Sequence, residues 1–134
     1  MIKNVIANIV GIFCAMLVIS TVEWLSHLIF PVPSEYNLQI VDSLKQYLAT
    51  RSAGELLLVP IGWAMGSFIG GLATSLYHPA KKIRNTMIVS CILMTLGIFN
   101  MVMIPHPLWF WIIGVLSFIP FGMLGSTIAW KRAQ

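Results

Sequence analysis

The sequence predicts an all-α integral membrane protein: four transmembrane helices in a bundle, with an amphipathic interfacial helix between the first and second spans. The first observation is composition, since 58% of the 134 residues are hydrophobic, 9% are charged and the mean hydropathy is +0.89. An ordinary soluble domain is about 25% charged. These few charges cannot cover the surface of a soluble fold, which excludes a soluble enzyme, a nucleic-acid-binding domain and a disordered chain.

The second observation is a set of four long apolar runs. A helix of about 20 apolar residues crosses the roughly 30 Å hydrocarbon core of a bilayer. The runs cover approximately residues 5–30, 56–77, 86–104 and 108–130. Proline-containing turns follow the first run, at Pro31, and the third run, at Pro105. We therefore predict one four-helix transmembrane domain over residues 1–134.

The third observation is an amphipathic segment at residues 37–50, between the first two runs. Its apolar residues recur at helical spacing with polar residues between them: Leu38, Val41, Leu44 and Leu48. The spacing predicts a helix in the outer membrane interface, acting either as a strut along the surface or as a lid over the bundle. Ser52 and Glu55 then form the Ser-x-x-Glu pattern of a capping box, which predicts a helix start at that point.

The basic residues predict the orientation, because Lys and Arg favour cytoplasmic loops. Lys45 and Arg51 fall on one side of the bundle, and six basic residues fall on the other: Lys3, Lys81, Lys82, Arg84, Lys131 and Arg132. Both termini are therefore expected in the cytoplasm, with the chain in a bacterial-type inner (plasma) membrane. The net charge of +4 is interpreted as this topology signal. The expected partner is the lipid bilayer, and no nucleic acid is expected.

Small residues form stripes on two of the spans. Gly62, Gly66 and Gly70 are four apart on the second span, and Gly114 and Gly122 lie on the fourth. Such stripes allow helix backbones to approach closely in lipid. Two arrangements stay open: packing within one bundle, or a contact between chains in a homo-oligomer or a larger membrane complex.

Polar residues inside the apolar runs are the candidate site. Glu23 lies within the first span, where an ionisable group is costly and suggests a function, and His27 follows on the same helix face. Asn100, His106 and Trp63 lie at compatible depths in the outer half. This group is either a structural staple, a ligand- or proton-binding site, or a metal or catalytic site. One Glu and two His could supply three metal ligands, so metal binding stays open.

Catalysis is less favoured than binding, and no catalytic residue or cofactor is assigned. The spacing of Glu23 and His27 is not that of a metalloprotease, and no nucleophile–base arrangement appears in the sequence. We expect a small, non-enzymatic inner-membrane protein that binds a partner protein, a lipid or a hydrophobic ligand.

In architecture the chain resembles the small multidrug-resistance exporters, which are also short, four-span proteins with a glutamate in the first span and which work as dimers. The resemblance rests on the topology and on Glu23, whereas the amphipathic segment has no counterpart in that family. It implies an alternative function: proton-coupled export of small cationic or amphipathic molecules, with Glu23 exchanging a proton for the substrate.

Overall fold

The computed structural model describes residues 1–132, with side chains described through Ala129. Its helices are α1 (Ile2–Ile29), α2 (Val41–Thr50), α3 (Ala53–Tyr77), α4 (Lys82–Met103) and α5 (Leu108–Arg132). A 3₁₀ turn, Pro79–Lys81, precedes α4, and no strand occurs among the described residues. The all-helical prediction is confirmed. The expectations for the side chains of Lys131 and Arg132 lie outside the described residues.

Four helical stretches are long and apolar enough to cross a membrane: Ile2–Ile29, Ala53–Tyr77, Pro79–Met103 and Leu108–Ala129. The first three begin earlier in the chain than the apolar runs do, because a helix needs continuous backbone hydrogen bonds rather than apolar side chains. At the start of α3, the Ser52 hydroxyl accepts a hydrogen bond from the Glu55 backbone N–H at 3.3 Å. The predicted capping residue is therefore the N-cap of α3.

The short helix α2 begins at Val41 rather than at residue 37. Asn37 forms a turn instead, since its side-chain oxygen accepts from the Gln39 N–H at 3.0 Å and its own N–H donates to the Ser43 hydroxyl at 2.8 Å. Asparagine side chains commonly replace helical hydrogen bonds in this way. The buried residue of α2 is Tyr47, whereas Val41 is exposed.

The Arg51 side chain links α2 to the end of α1 and to α3. Its guanidinium lies 5.1 Å from the ring centre of Tyr47 in α2 and 5.8 Å from that of Phe30 at the end of α1. Its Nε donates to a carboxylate oxygen of Glu55 in α3 at 2.9 Å. The side chain is 9% exposed, so a largely buried charge joins three helices at this end.

The bundle has two ends with different chemistry. At the α2 end, α1 and α4 finish and α3 and α5 begin. At the opposite end, called the basic end because it carries Lys3, Lys81 and Arg84, α1 and α4 begin and α3 finishes. The helices α1, α3, α4 and α5 therefore alternate in direction. Helix α3 is central and packs against each of the other three.

Glycines bring α3 into backbone contact with two helices. A Cβ atom on Gly66 would lie 2.5 Å from the Ile19 side chain and 2.9 Å from the Ala15 carbonyl oxygen in α1. On another face of α3, a Cβ on Gly71 would meet the carbonyl group of Gly122 in α5. We call these two regions, α3 with α1 and α3 with α5, the glycine contacts. They lie within a single chain.

Hydroxyl and amide groups join the helices near the basic end. The Ser75 hydroxyl in α3 donates to that of Ser126 in α5 at 2.8 Å and lies 3.1 Å from the hydroxyl of Thr86 in α4. The Asn85 amide nitrogen in α4 donates to the Asn4 side-chain oxygen in α1 at 3.2 Å. All four long helices are thus tied together by side-chain hydrogen bonds at this end.

Candidate functional site: the cleft between α1 and α4

A cleft of about 230 Å³ lies between α1 and α4, in the half of the bundle nearer the α2 end. Its polar residues are Ser20 and Glu23 from α1 and Asn100 from α4, all of them exposed. Its aromatic residues are Trp63 from α3 and Phe118 from α5, which are 5% and 1% exposed. The cleft therefore has a polar mouth and a buried aromatic floor.

The spacing of residues on α1 and α4 explains why these side chains meet. Residues three or four apart share a helix face. Ser20 and Glu23 are three apart on α1, and Gly97 and Asn100 are three apart on α4. Both pairs line the cleft. Because α1 and α4 touch each other less than either touches α3, the space between these two faces stays open.

The floor is built from rings that fit against glycines. A Cβ on Gly114 of α5 would lie 2.9 Å from the indole of Trp63, and a Cβ on Gly97 of α4 would lie 2.5 Å from the ring of Phe118. The rings of Trp63 and Phe118 stack with centroids 5.4 Å apart and planes 26° apart. Each glycine thus leaves room for one ring of the floor.

His27 does not join the cleft residues. It shares a face of α1 with Glu23, as predicted from the spacing, and both side chains are exposed. Among the described residues, however, no hydrogen bond or salt bridge connects them. His27 is also absent from the lining of the cleft. The hydrogen bond predicted between these two side chains is therefore not found among the described residues.

His106 lies in a different cavity, of about 300 Å³, between α2 and the connection from α4 to α5. Its Nδ1 is 2.7 Å from the carbonyl oxygen of Ile104. A carbonyl oxygen only accepts hydrogen bonds, so Nδ1 carries the proton and donates it. Burial lowers the pKa of His106 because it disfavours the charged ring, although the hydrogen bond to Ile104 opposes this effect.

Aromatic contacts connect the two cavities. His106 stacks on Phe110 with ring centres 4.1 Å apart, and Phe110 meets Trp63 edge-on at 5.6 Å. The sequence interpretation missed both Phe110 and Phe118. The available signal was the pattern Phe110-x-x-x-Gly114-x-x-x-Phe118, in which a glycine between two phenylalanines on one helix face leaves space for a third ring.

The chemistry of the cleft suits binding through hydrogen bonds, charge and aromatic surface. Among residues 1–132, no group of three His, Cys, Asp or Glu side chains lies close enough to hold a metal ion. The predicted set therefore separates into three parts: Glu23, Asn100 and Trp63 in the cleft, His106 in the second cavity, and His27 on the surface of α1.

Comparisons of the chain with protein-family models, with curated proteins and with solved structures found no match. The chemistry of the cleft is therefore the starting point for a function.

Proposed function

We propose that this chain is a small, non-enzymatic, multi-pass membrane protein that binds a small hydrophobic molecule in the cleft between α1 and α4. One observation carries the proposal: a carboxylate, a hydroxyl and an amide at the mouth lie above two buried, stacked rings. Ligand sites typically combine apolar and aromatic walls with a few polar groups that fix the orientation of the ligand.

The size of the cleft limits the ligand. Pockets for drug-sized molecules measure about 300–1,000 Å³, and this cleft, at about 230 Å³, is smaller. A molecule with a single ring or a short branched chain fits this volume. The exposed residues at the mouth lie along the surface between two spanning helices, so the ligand would enter sideways from the acyl chains of the bilayer.

The charge of the cleft favours a cation or a hydrogen-bond donor as the polar group of the ligand. Among the described residues that line the cleft, Glu23 provides the only carboxylate, and none is Lys or Arg. Aromatic faces also attract cations, most strongly where water is excluded. The ligand class that fits best is therefore a small aromatic amine or quaternary ammonium compound.

Benzyltrimethylammonium, which joins one ring to one cation, is a suitable probe. Binding would be measured by titration calorimetry on the full chain in a mild detergent. Glu23→Gln should weaken binding about tenfold or more, because the ionic attraction is lost, whereas Glu35→Gln should not, because Glu35 is exposed in the connection before α2. Equal affinities for both variants and the parent would contradict the proposal.

The same proposal includes a membrane setting: a bacterial-type inner membrane, both termini in the cytoplasm and α2 in the outer interface. The distribution of basic residues supports it. In a cysteine-free background, a maleimide that cannot cross membranes should label Gln46→Cys in intact cells and should not label Ala80→Cys. Both positions are exposed, so the reverse pattern would overturn the orientation.

Proton-coupled export is the second candidate, and the position of Glu23 favours it. This carboxylate lines the cleft from within a helix long enough to span the membrane, so one group could hold either a proton or a cationic substrate. Adding benzyltrimethylammonium to the protein in weakly buffered detergent should then release protons, and Glu23→Gln should abolish the release. Binding of the probe without release of protons would agree with the binding function and would exclude export by proton exchange.

A further inference from the structure

The acidic residues of this chain are confined to the half of the bundle nearer the α2 end. All four acidic residues occur between positions 23 and 55: Glu23, Glu35, Asp42 and Glu55. The region before position 23 and the region after position 55 contain only basic charges. The start of α1 and the connection from α3 to α4 therefore form an end of the bundle with positive side chains and no negative ones.

A hollow of about 510 Å³ lies at this end, at the corner where the 3₁₀ turn meets α4. We call it the basic corner, and it is lined by Pro79, Ala80, Lys81, Lys82, Ile83 and Arg84. Lys81 and Arg84 are exposed, and neither side chain forms a hydrogen bond or a salt bridge with another described residue. Ile83 is 58% exposed between them, so the hollow combines cations with apolar surface.

The backbone at the basic corner is held in place by buried neighbours. Asn85 and Thr86, which follow Arg84 directly, are both 0% exposed, and their side chains bond to α1 and α3. Asn85 bonds to Asn4, the residue after Lys3. The bond therefore brings the backbone of a third exposed cation, Lys3, to the same end as Arg84.

We infer that the basic corner binds the phosphodiester headgroup of an anionic phospholipid. The planar guanidinium of Arg84 matches two phosphate oxygens, and the ammonium of Lys81 adds a compact charge. Exposed Ile83 and Pro79 provide apolar surface for the glycerol and the first acyl carbons. A free phosphate ion would use the cations and leave this surface in water. The inference is independent of the ligand proposed for the cleft.

The test is native mass spectrometry of the full chain, released from detergent with added lipid. Phosphatidylglycerol and phosphatidylcholine with identical acyl chains separate recognition of the headgroup from general lipid binding. Lys81→Gln and Arg84→Gln each remove one charge from the basic corner. Lys45→Gln removes one from an exposed position at the α2 end, so it is the matched control.

Each cation of the basic corner should contribute about fivefold to the binding of the headgroup, whereas Lys45 is at the other end and is paired with Asp42. We expect about fivefold weaker retention of phosphatidylglycerol for each corner variant, about 30-fold for the double variant, and no change for Lys45→Gln. Arg84→Lys keeps the charge and should retain more lipid than Arg84→Gln. Each of the following results would overturn the inference: equal retention of the two lipids, equal losses in all three single variants, no loss in the double variant, or displacement of the lipid by millimolar inorganic phosphate.

Discussion

Glycines lie at both the glycine contacts and the cleft, but they make the first region rigid and the second adaptable. In the glycine contacts, Gly71 faces the backbone of α5, so two helices touch through atoms that cannot rotate away. At the floor of the cleft, Phe118 and Trp63 present their rings to Gly97 and Gly114. A ring can turn about its side-chain bonds, so the cleft can adjust its shape. The partner of a glycine, rather than the glycine itself, decides whether a region is rigid or adaptable.

The largest change in the free energy of unfolding should come from the glycine contacts. In Gly71→Ala, the new Cβ would lie 2.8 Å from the Gly122 carbonyl carbon and 3.0 Å from its Cα. Only a shift of α5 against α3 relieves this overlap. We expect a loss of about 3 kcal/mol, the upper part of the usual range for overpacking, measured by denaturation in detergent.

Gly54→Ala is the matched control, since it is the same substitution in the same helix. The nearest atom to a Cβ there is the Ser52 hydroxyl oxygen at 3.9 Å. Alanine is the better helix former by up to about 1 kcal/mol, so stability should be unchanged or raised. Similar losses of stability at Gly54 and Gly71 would show that contact with the α5 backbone does not explain the effect of Gly71→Ala.

Gly97→Ala should have a smaller effect, because the Phe118 ring can move. The new methyl group would lie 2.5 Å from that ring. We expect a loss of about 1 kcal/mol and weaker binding of benzyltrimethylammonium, since the displaced ring fills part of the cleft. In Gly97→Ala/Phe118→Leu the two losses should be less than additive, because the smaller side chain makes room for the methyl group. Additive losses would show that the methyl group acts elsewhere.

His106 should add a small pH dependence to stability. Burial lowers the pKa of His106 in the folded chain, so the unfolded chain takes up the proton at a higher pH, near about 6.5. Below that pH the unfolded state binds more protons, and stability falls until the folded ring is protonated too. Thermal melts at pH 7.5 and pH 5.5 should therefore differ less for His106→Gln than for the parent. If the melting temperatures of His106→Gln differed between the two pH values as much as those of the parent, His106 would not be the cause of the pH dependence.

The smallest effect on stability is expected for Glu23→Gln. Glu23 is exposed at the mouth of the cleft and has no salt bridge among the described residues. An amide of the same shape should therefore change the unfolding free energy by less than about 0.5 kcal/mol. A loss of about 3–5 kcal/mol, partly recovered in Glu23→Gln/His27→Gln, would instead indicate a buried ion pair.

The helices were largely predictable from sequence, because an apolar run and a capping Ser52 are local signals. The depth of Glu23, Asn100 and Trp63 was predictable too, since counting residues along a span gives the height in the bundle. The sequence did not, however, predict which helices are neighbours. The stripe of Gly62, Gly66 and Gly70 has the same appearance whether it faces α1, α5 or another chain.

The separation of His106 from the cleft was also beyond the sequence. Its position along the bundle axis places His106 near Asn100. The sequence pattern does not indicate in which direction the short connection between α4 and α5 folds. In the structure, Pro105 and Pro107 line the second cavity together with His106, against Leu56 and α2. A residue in a proline-rich turn takes its position from the turn geometry, and apolar periodicity does not encode it.

The central position of α3 has a consequence for the order in which the bundle can assemble. Its two glycine faces are completed by the first and the last long helices of the chain, α1 and α5. Without α5, the face of α3 that carries Gly71 and Ser75 lacks both its backbone contact and its hydrogen bond to α5. The packing of α3 is therefore complete only when α1 and α5 are both in place.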